Sequence, residues 1–102
     1  MTYDLILDAM GDATRRRIVE ALRNGPLAVN ELAATQKVSR PAVSQHLKVL
    51  EHAGLVHSEA QGTRRLYAIR SEALVELRQY LDSFWNEILE AYSAEIKRKF
   101  GN

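Results

Sequence analysis

The apolar residues between positions 39 and 55 recur with helical spacing and predict one helix with a defined start, two distinct faces and a defined end. Ser39 can accept a backbone amide hydrogen bond in the first turn, Pro41 fits where no amide is needed, and Gly54 can take the left-handed conformation that ends a helix. At 100° per residue, one side collects the residues expected to face a core: Ala42, Val43, His46, Leu47, Val49, Leu50 and Ala53. The pattern predicts a helix that packs through this side.

The opposite side of the same helix carries Arg40, Ser44, Gln45 and Lys48, with no carboxylate before Glu51. Cations suit DNA phosphates, and amide and hydroxyl groups suit the edges of bases in the major groove. The competing interpretation is an ordinary amphipathic helix with a solvated polar face.

The flanking segments favour the DNA-binding interpretation. Residues 26–37 form a short helical pattern that turns Leu32 and Ala33 inward, so residues 29–53 have the arrangement of a helix-turn-helix. Two strand-like runs, 55–59 and 64–69, are joined around Gln61-Gly62 and predict a β-hairpin. The predicted fold is mainly α with a small β-hairpin, a winged helix-turn-helix whose wing is residues 55–69.

Helices are also predicted at both ends of the chain. Residues 3–10 form an amphipathic helix, and Asp12 can cap a second helix that runs to about Asn24. From residue 71 to about residue 100 the apolar spacing predicts one long helix of about 40 Å, longer than a small domain covers by itself. A two-fold partner is the commonest way to cover such a helix.

Five segments together resemble the ArsR/SmtB family of bacterial and archaeal winged-helix repressors. They are Asp12-Ala-Thr-Arg-Arg-Arg-Ile18, Leu32-Ala33, Ser39-Arg-Pro-Ala-Val-Ser-Gln-His-Leu-Lys-Val-Leu50, Ala53-Gly-Leu-Val56 and Gly62-Thr-Arg-Arg-Leu-Tyr67. The resemblance implies the order α1-α2-α3-α4-β-β-α5, DNA reading by the second helix of the motif, release by an inducer, and a homodimer formed by the first and last helices. Those dimerisation helices correspond to residues 3–10 and 72–100.

The resemblance and the apolar pattern together assign residues to two interfaces. The expected dimer contacts are Leu5, Ile6, Leu77, Leu81, Phe84, Trp85, Ile88 and Tyr92. The expected DNA contacts are Ser39, Arg40, Ser44, Gln45 and Lys48 on the reading helix, with Thr63, Arg64, Arg65 and Arg16 on the wing and the backbone.

Gln45 is the candidate for a bidentate contact with adenine. Arg15, Arg16 and Arg17 diverge around their helix, so they cannot all contact one phosphate. Two symmetry-related reading helices are expected about 34 Å apart on an inverted repeat.

Composition agrees with one DNA-binding domain spanning residues 1–102. The net charge is only +1, but residues 36–70 hold six basic and two acidic residues, a net charge of +4, whereas the flanks carry −1 and −2. This asymmetry predicts a positive face in the middle of the chain. The expected partners are double-stranded DNA and a second copy of the chain.

The side chains present argue against metal binding, cofactors and catalysis. The chain has no cysteine, which excludes thiolate ligands and disulfides. Where metal-sensing relatives place thiolates, this chain has Ala28 and Asn30, and its last helix has no histidine. A metal site built from His52 and His57 stays a minor alternative, and we expect the protein to use no cofactor.

Ala28 also departs from a feature that the resemblance implies. Family members often have Ser or Thr there, three residues before an acid such as Glu31, which makes a capping box. Alanine cannot accept the capping bond, at a cost of about 1 kcal/mol. The following helix is therefore expected to start raggedly or to use Asn30.

No segment is long enough to span a membrane and no secretory signal precedes Asp12, so we expect a cytoplasmic protein that is nucleoid-associated when bound to DNA. Two alternatives stay open. One is a protein-interaction module that has lost DNA readout, and the other is a repressor with a ligand or metal site at its dimer interface. The sequence identifies neither the operator nor an inducer.

Overall fold

The computed structural model describes residues 2–101 and confirms the winged helix-turn-helix. Its helices are α1 (Thr2–Ala9), α2 (Ala13–Ala21), α3 (Val29–Gln36), α4 (Arg40–His52) and α5 (Ser71–Phe100), with a short 3-10 helix at Leu22–Asn24. Its strands are β1 (Leu27–Ala28), β2 (Val56–Gln61) and β3 (Arg64–Ile69). Helices α3 and α4 form the helix-turn-helix, and β2 and β3 form the wing.

The sheet contains one strand that the sequence pattern did not predict. Strand β1 pairs antiparallel with β3 through Leu27 opposite Tyr67 and Ala28 opposite Leu66, which gives the order β1-β3-β2. The helical pattern expected from residue 26 is therefore wrong at its start. Pro26 has no backbone amide and favours extended neighbours, so the chain joins the sheet before α3 begins.

One hydrophobic core connects the helices to the wing. Its fully buried side chains come from α1, α2, α3, α4 and the start of the wing: Ile6, Ile18, Leu32, Val43, Leu47, Leu50, Leu55 and Val56. Within residues 3–101, no polar or charged residue is buried with them. The helix-turn-helix is thus held by apolar packing.

Asp12 caps α2 as predicted. Its Oδ1 accepts a hydrogen bond from the backbone amide of Arg15 at 3.0 Å. This bond lowers the pKa of the Asp12 carboxyl below its ordinary value, and the positive charges of Arg15 and His46 add to the effect. The stabilisation is therefore present above the ordinary carboxyl pKa and is lost as the pH falls through the lowered value.

Helix α1 is fixed by arginine side chains at the start of α2. The Nε of Arg15 donates to the carbonyl oxygen of Ala9 at 2.7 Å, and Nη1 of Arg16 donates to the carbonyl oxygen of Met10 at 2.7 Å. These bonds satisfy carbonyls that the end of a helix leaves unpaired.

Ile6 was expected to contact the dimer partner, and the structure contradicts this expectation. Its side chain is fully buried within the single chain, whereas Leu5 is 46% exposed. Both are apolar and adjacent, but only Ile6 points inward from α1, so it has no surface left for a partner.

Helix α5 extends far beyond the domain. The molecule measures 64 Å in its longest dimension and only 25 and 22 Å in the others. Near its start, Ala73 is buried and Leu77 packs against the core, while the ring of Tyr80 stacks on Tyr3 of α1 at 4.3 Å. Among residues 2–101, no helix has both the length and the apolar character needed to cross a membrane.

We expect Ile6→Ala to lower the free energy of unfolding by about 2–5 kcal/mol, because it empties a fully buried site. Leu7→Ala is the matched control on the same helix, where the side chain is 39% exposed. It should cost about 1 kcal/mol or less. Urea denaturation measures both. Equal losses in the two variants would mean that Ile6 does not belong to the core.

Candidate nucleic-acid interface

Helix α4 presents the predicted polar residues on its outer side. Arg40, Gln45 and Lys48 are exposed and Ser44 is half-buried, while Val43, Leu47 and Leu50 anchor the inner side in the core. Within the described chain, the side chains of Arg40 and Lys48 form no hydrogen bond or ion pair with other residues, so both cations are free to contact phosphates.

Two residues that were predicted to lie on the core-facing side of α4 are not fully buried there. Val49 is 43% exposed, because it lies about 120° around the helix from the buried Val43. His46 is half-buried at the border of the core, and its charge is one of the influences on the Asp12 carboxyl. The apolar side of α4 is therefore narrower than the sequence pattern indicated.

The start of α4 is capped as predicted. The Oγ of Ser39 accepts a hydrogen bond from the amide of Ala42 at 3.2 Å, and Pro41 occupies the first turn. The bond uses an acceptor of the hydroxyl and leaves its hydrogen available. In the preceding turn, Lys37 adopts a left-handed backbone with φ 56°, which the residue pattern did not predict.

The end of α4 is joined to the wing and to α5. Gly54 has φ +80° and follows the helix in the left-handed conformation that was predicted for it. The Nη1 of Arg70 donates to the Gly54 carbonyl at 3.0 Å, and Nη2 lies 3.6 Å from the Glu72 carboxylate. Arg70, which contributes to the basic middle of the sequence, is thus part of the scaffold.

The two arginines of the wing lie on opposite faces of the hairpin, because successive side chains of a strand alternate. Gln61 pairs with Arg64 beside the turn at Gly62-Thr63, and Ala60 pairs with Arg65. The wing therefore directs one guanidinium toward α3 and the other toward α4.

Arg64 forms an ion pair with Glu31 at the start of α3. The same oxygen of Glu31, Oε1, accepts the amide of Ala28 at 2.9 Å. Ala28 is the residue before α3 and has no side-chain cap of its own, as expected, but the helix does not use Asn30 in its place. The Glu31 carboxylate supplies half of a capping box and holds the wing as well.

Arg65 is linked to α4 through a hydroxyl group. Its Nη1 donates to Ser58 Oγ at 2.9 Å, and Ser58 Oγ donates to Glu51 Oε2 at 3.2 Å. Sequence reasoning missed Glu31, Ser58 and Glu51 as partners of the wing. Strand alternation could have placed Ser58 and Arg65 on one face, but the distant Glu31 gave no local signal.

A cleft of about 440 Å³ opens between the start of α3, the start of α4 and the tip of the wing. Three of its lining residues are arginines and none is acidic. The lining residues are Ala28, Val29, Asn30, Arg40, Thr63, Arg64 and Arg65. The structure thus brings Arg40 of the reading helix together with the predicted wing residues.

Arg16, which was expected to approach DNA, uses one nitrogen to bind the Met10 carbonyl at the end of α1. Its DNA contact stays a prediction. In the chain as described, the guanidinium of Arg17 has no partner, and its exposed position leaves it available.

Within residues 2–101, no three His, Cys, Asp or Glu side chains come together in a group that could hold a metal ion. His52 and His57 are both exposed, on α4 and β2 respectively.

Comparison with known proteins relates this geometry to gene regulators. Residues 12–58 match the family described as "Bacterial regulatory protein, arsR family". The chain is 53% identical over 93 residues to the HTH-type transcriptional regulator Rv2034 of Mycobacterium tuberculosis (strain ATCC 25618 / H37Rv), covering 91% of this chain and 87% of that protein. It is 26% identical over 82 residues to the transcriptional repressor SdpR of Bacillus subtilis (strain 168), covering 80% and 91%.

Solved structures share the fold. A homodimeric winged helix-turn-helix DNA-binding domain, Mb0332 from Mycobacterium bovis, described as a possible ArsR-family transcriptional regulator, superposes with a TM-score of 0.69 and 27% identity. The match covers 88% of this chain and 83% of that one. Transcriptional regulators are a non-enzymatic class, which confirms the prediction that the chain is not an enzyme.

We expect Ser39→Ala to lower the free energy of unfolding by about 1 kcal/mol, because the Ala42 amide loses its cap. Ser93→Ala on the exposed side of α5 is the control and should change stability by about 0.5 kcal/mol or less. Urea denaturation of both variants measures the difference. If Ser39→Ala proves as mild as its control, the cap does not stabilise the reading helix.

Proposed function

The chain belongs to the ArsR family of bacterial regulatory proteins, and from that premise we propose that it is a homodimeric, metal-independent transcriptional repressor that binds an inverted-repeat operator. One observation supports the proposal most strongly. The exposed side of α4 carries Arg40, Gln45 and Lys48 without an intervening carboxylate and adjoins a cleft lined by three arginine residues and no acidic one.

In this proposal α4 enters the major groove. Gln45 reads an adenine edge, Ser44 offers a hydroxyl group to the bases, and Arg40 and Lys48 bind phosphates on either side. Thr63, Arg64 and Arg65 at the wing bind the flanking backbone. This contact set combines free cations, which supply affinity for any duplex, with an amide side chain, which supplies sequence preference.

The homodimer is proposed from the exposed apolar side of α5. The predicted contacts Leu81, Trp85, Ile88 and Tyr92 are between 41% and 66% exposed in the single chain. A 30-residue helix is about 45 Å long, whereas α1, with 8 residues, spans only about 12 Å and cannot cover it. The homodimeric Mycobacterium bovis neighbour supports a second copy as the covering surface.

Two of the expected dimer residues already make contacts within their own chain. Leu77 packs beside the core and Phe84 packs against Tyr80, with ring centroids 5.3 Å apart. The proposed interface is therefore centred on Trp85 and Tyr92 rather than on these two.

Repression and metal independence are proposed from different observations. The transcriptional repressor SdpR of Bacillus subtilis aligns over most of the chain, which supports repression. Metal independence is proposed because the sequence has no cysteine and because its histidines and carboxylates form no ligand cluster within residues 2–101.

Selection of bound duplexes from a random-sequence library tests DNA binding directly. We expect enrichment of an inverted repeat whose half-sites are about 34 Å apart, and an affinity that falls steeply as the salt concentration rises. Retention of no duplex at low salt would remove the proposed function. It would favour the alternative in which the domain binds another protein.

Gln45→Ala should reduce discrimination at one base pair of each half-site by about 1–3 kcal/mol, because an amide contact to a base edge is lost. Repeating the selection with the variant measures the preference at every position. Gln79→Ala, an exposed change on α5, serves as the control. If both variants select the same sequence as the parent, Gln45 takes no part in readout.

Trp85→Ala should weaken dimerisation by about 2 kcal/mol or more, roughly 30-fold in the dissociation constant, because a large aromatic anchor is removed. Sedimentation equilibrium at several protein concentrations measures this constant. Val75→Ala is the control, since Val75 is 54% exposed but lies about 80° around α5 from Trp85. An unchanged constant for Trp85→Ala would contradict the interface assignment.

A further inference from the structure

Glu31 places a carboxylate beside the cationic cleft, and its position is fixed from two sides. Its Oε1 accepts the Ala28 amide at 2.9 Å and also pairs with Nη2 of Arg64 on the wing. The first bond anchors the carboxylate to the start of α3, so the second anchors the tip of the wing to the same point.

Arg64 keeps most of its hydrogen-bonding capacity while it is paired. A guanidinium group has five N–H donors in a planar fork, and the described contacts use Nη2 alone. The Arg64 side chain is 55% exposed. It can therefore bind an incoming phosphate without leaving Glu31.

The carboxylate does not block the cleft. Arg64 lines the cleft together with Arg40, Asn30 and Thr63, whereas Glu31 is not among the lining residues. An anion that enters the cleft therefore meets arginine residues and no acidic residue. An exposed ion pair of this kind adds little to folding stability, so its main consequence is the orientation of Arg64.

We propose that Glu31 is a positioning residue for DNA binding, which holds Arg64 so that Arg64 and Arg40 grip one backbone phosphate of the operator in the cleft. Asn30 and Thr63 supply neutral donors to the same phosphate. This inference rests on the proposed function. It adds an acidic residue of α3 and Asn30 to the residues on which recognition depends.

The decisive variant is Glu31→Gln, because glutamine keeps the oxygen that caps Ala28 and loses the charge that holds Arg64. Its matched control is Glu59→Gln, an exposed carboxylate on β2 with no partner among residues 2–101. Both changes raise the net charge equally. Affinity is measured for the library-selected duplex and for a scrambled duplex of the same length.

Glu31→Gln should weaken binding of the selected duplex by about two- to tenfold relative to Glu59→Gln, the factor that corresponds to ordering one freed side chain. Binding of the scrambled duplex should weaken by a similar factor, because a phosphate contact does not depend on the base sequence. A loss equal to that of Glu59→Gln, or tighter binding of the selected duplex, would overturn the proposal. In the second case Glu31 would oppose DNA binding instead.

Arg64 variants show whether Glu31 acts through that residue. Adding Glu31→Gln to Arg64→Ala should cause no further loss, and Arg64→Lys should behave like Glu31→Gln, because an ammonium group lacks the fork that contacts two anions at once. Additive losses in the double variant would overturn the proposal. Arg64→Lys also keeps the test valid if Glu31→Gln should fail to fold.

Neutral methylphosphonate groups placed singly along the selected duplex locate the phosphate. At one position outside the half-site, the neutral group should weaken binding by the parent protein. It should weaken binding by Arg64→Ala much less, because only Arg40 still holds that phosphate with a charge, and binding by Glu31→Gln by an intermediate amount. If no position depends on Arg64, the cleft does not hold a phosphate. The parent protein would still bind its duplex, so that result would leave the proposed function intact.

Discussion

The domain is organised around the burial of one side of α4. Val43, Leu47 and Leu50 are packed into the core, and the helical period then directs Gln45 and Lys48 outward. A rotation of the helix by one residue would bring Lys48 toward the core, where an unpaired charge is very costly. The packing that stabilises the domain therefore also directs the polar side of α4 outward.

The cations around this face are held in two different ways. Arg40 and Lys48 extend from a rigid helix and have no partner among residues 2–101, whereas Arg64 is bound to Glu31 and Arg65 is linked through Ser58 to Glu51. These exposed contacts add little to stability, but they connect the hairpin to both helices of the motif. The cations of α4 thus project freely, whereas those of the wing are held in place by neighbouring side chains.

The sequence was sufficient to predict features that depend on neighbouring residues, such as helix caps and helix faces. It was not sufficient to predict features that depend on tertiary contacts. The caps at Asp12 and Ser39 and the outer side of α4 follow from residues a few positions apart, so they were predicted. Strand β1 has only two residues and no period of its own, and it exists because β3 lies beside it. Leu5 and Ile6 are both apolar, and only the packed structure shows that Ile6 faces its own core. The pair of Glu31 and Arg64 joins residues 33 apart in sequence and has no local signal.

Helix α5 carries two apolar rows side by side, and this explains how such a small domain could set the spacing of two reading helices. One row, through Ala73, Leu77 and Tyr80, lies against the domain and α1, while the other, through Trp85 and Tyr92, is exposed. At its start α5 is tied to the end of α4, because Arg70 binds the Gly54 carbonyl. In the proposed homodimer the exposed rows would meet, and the inner rows would fix each α4 relative to that contact. The distance between the reading helices would then follow from the rigidity of α5 rather than from any direct contact between the two DNA-binding faces.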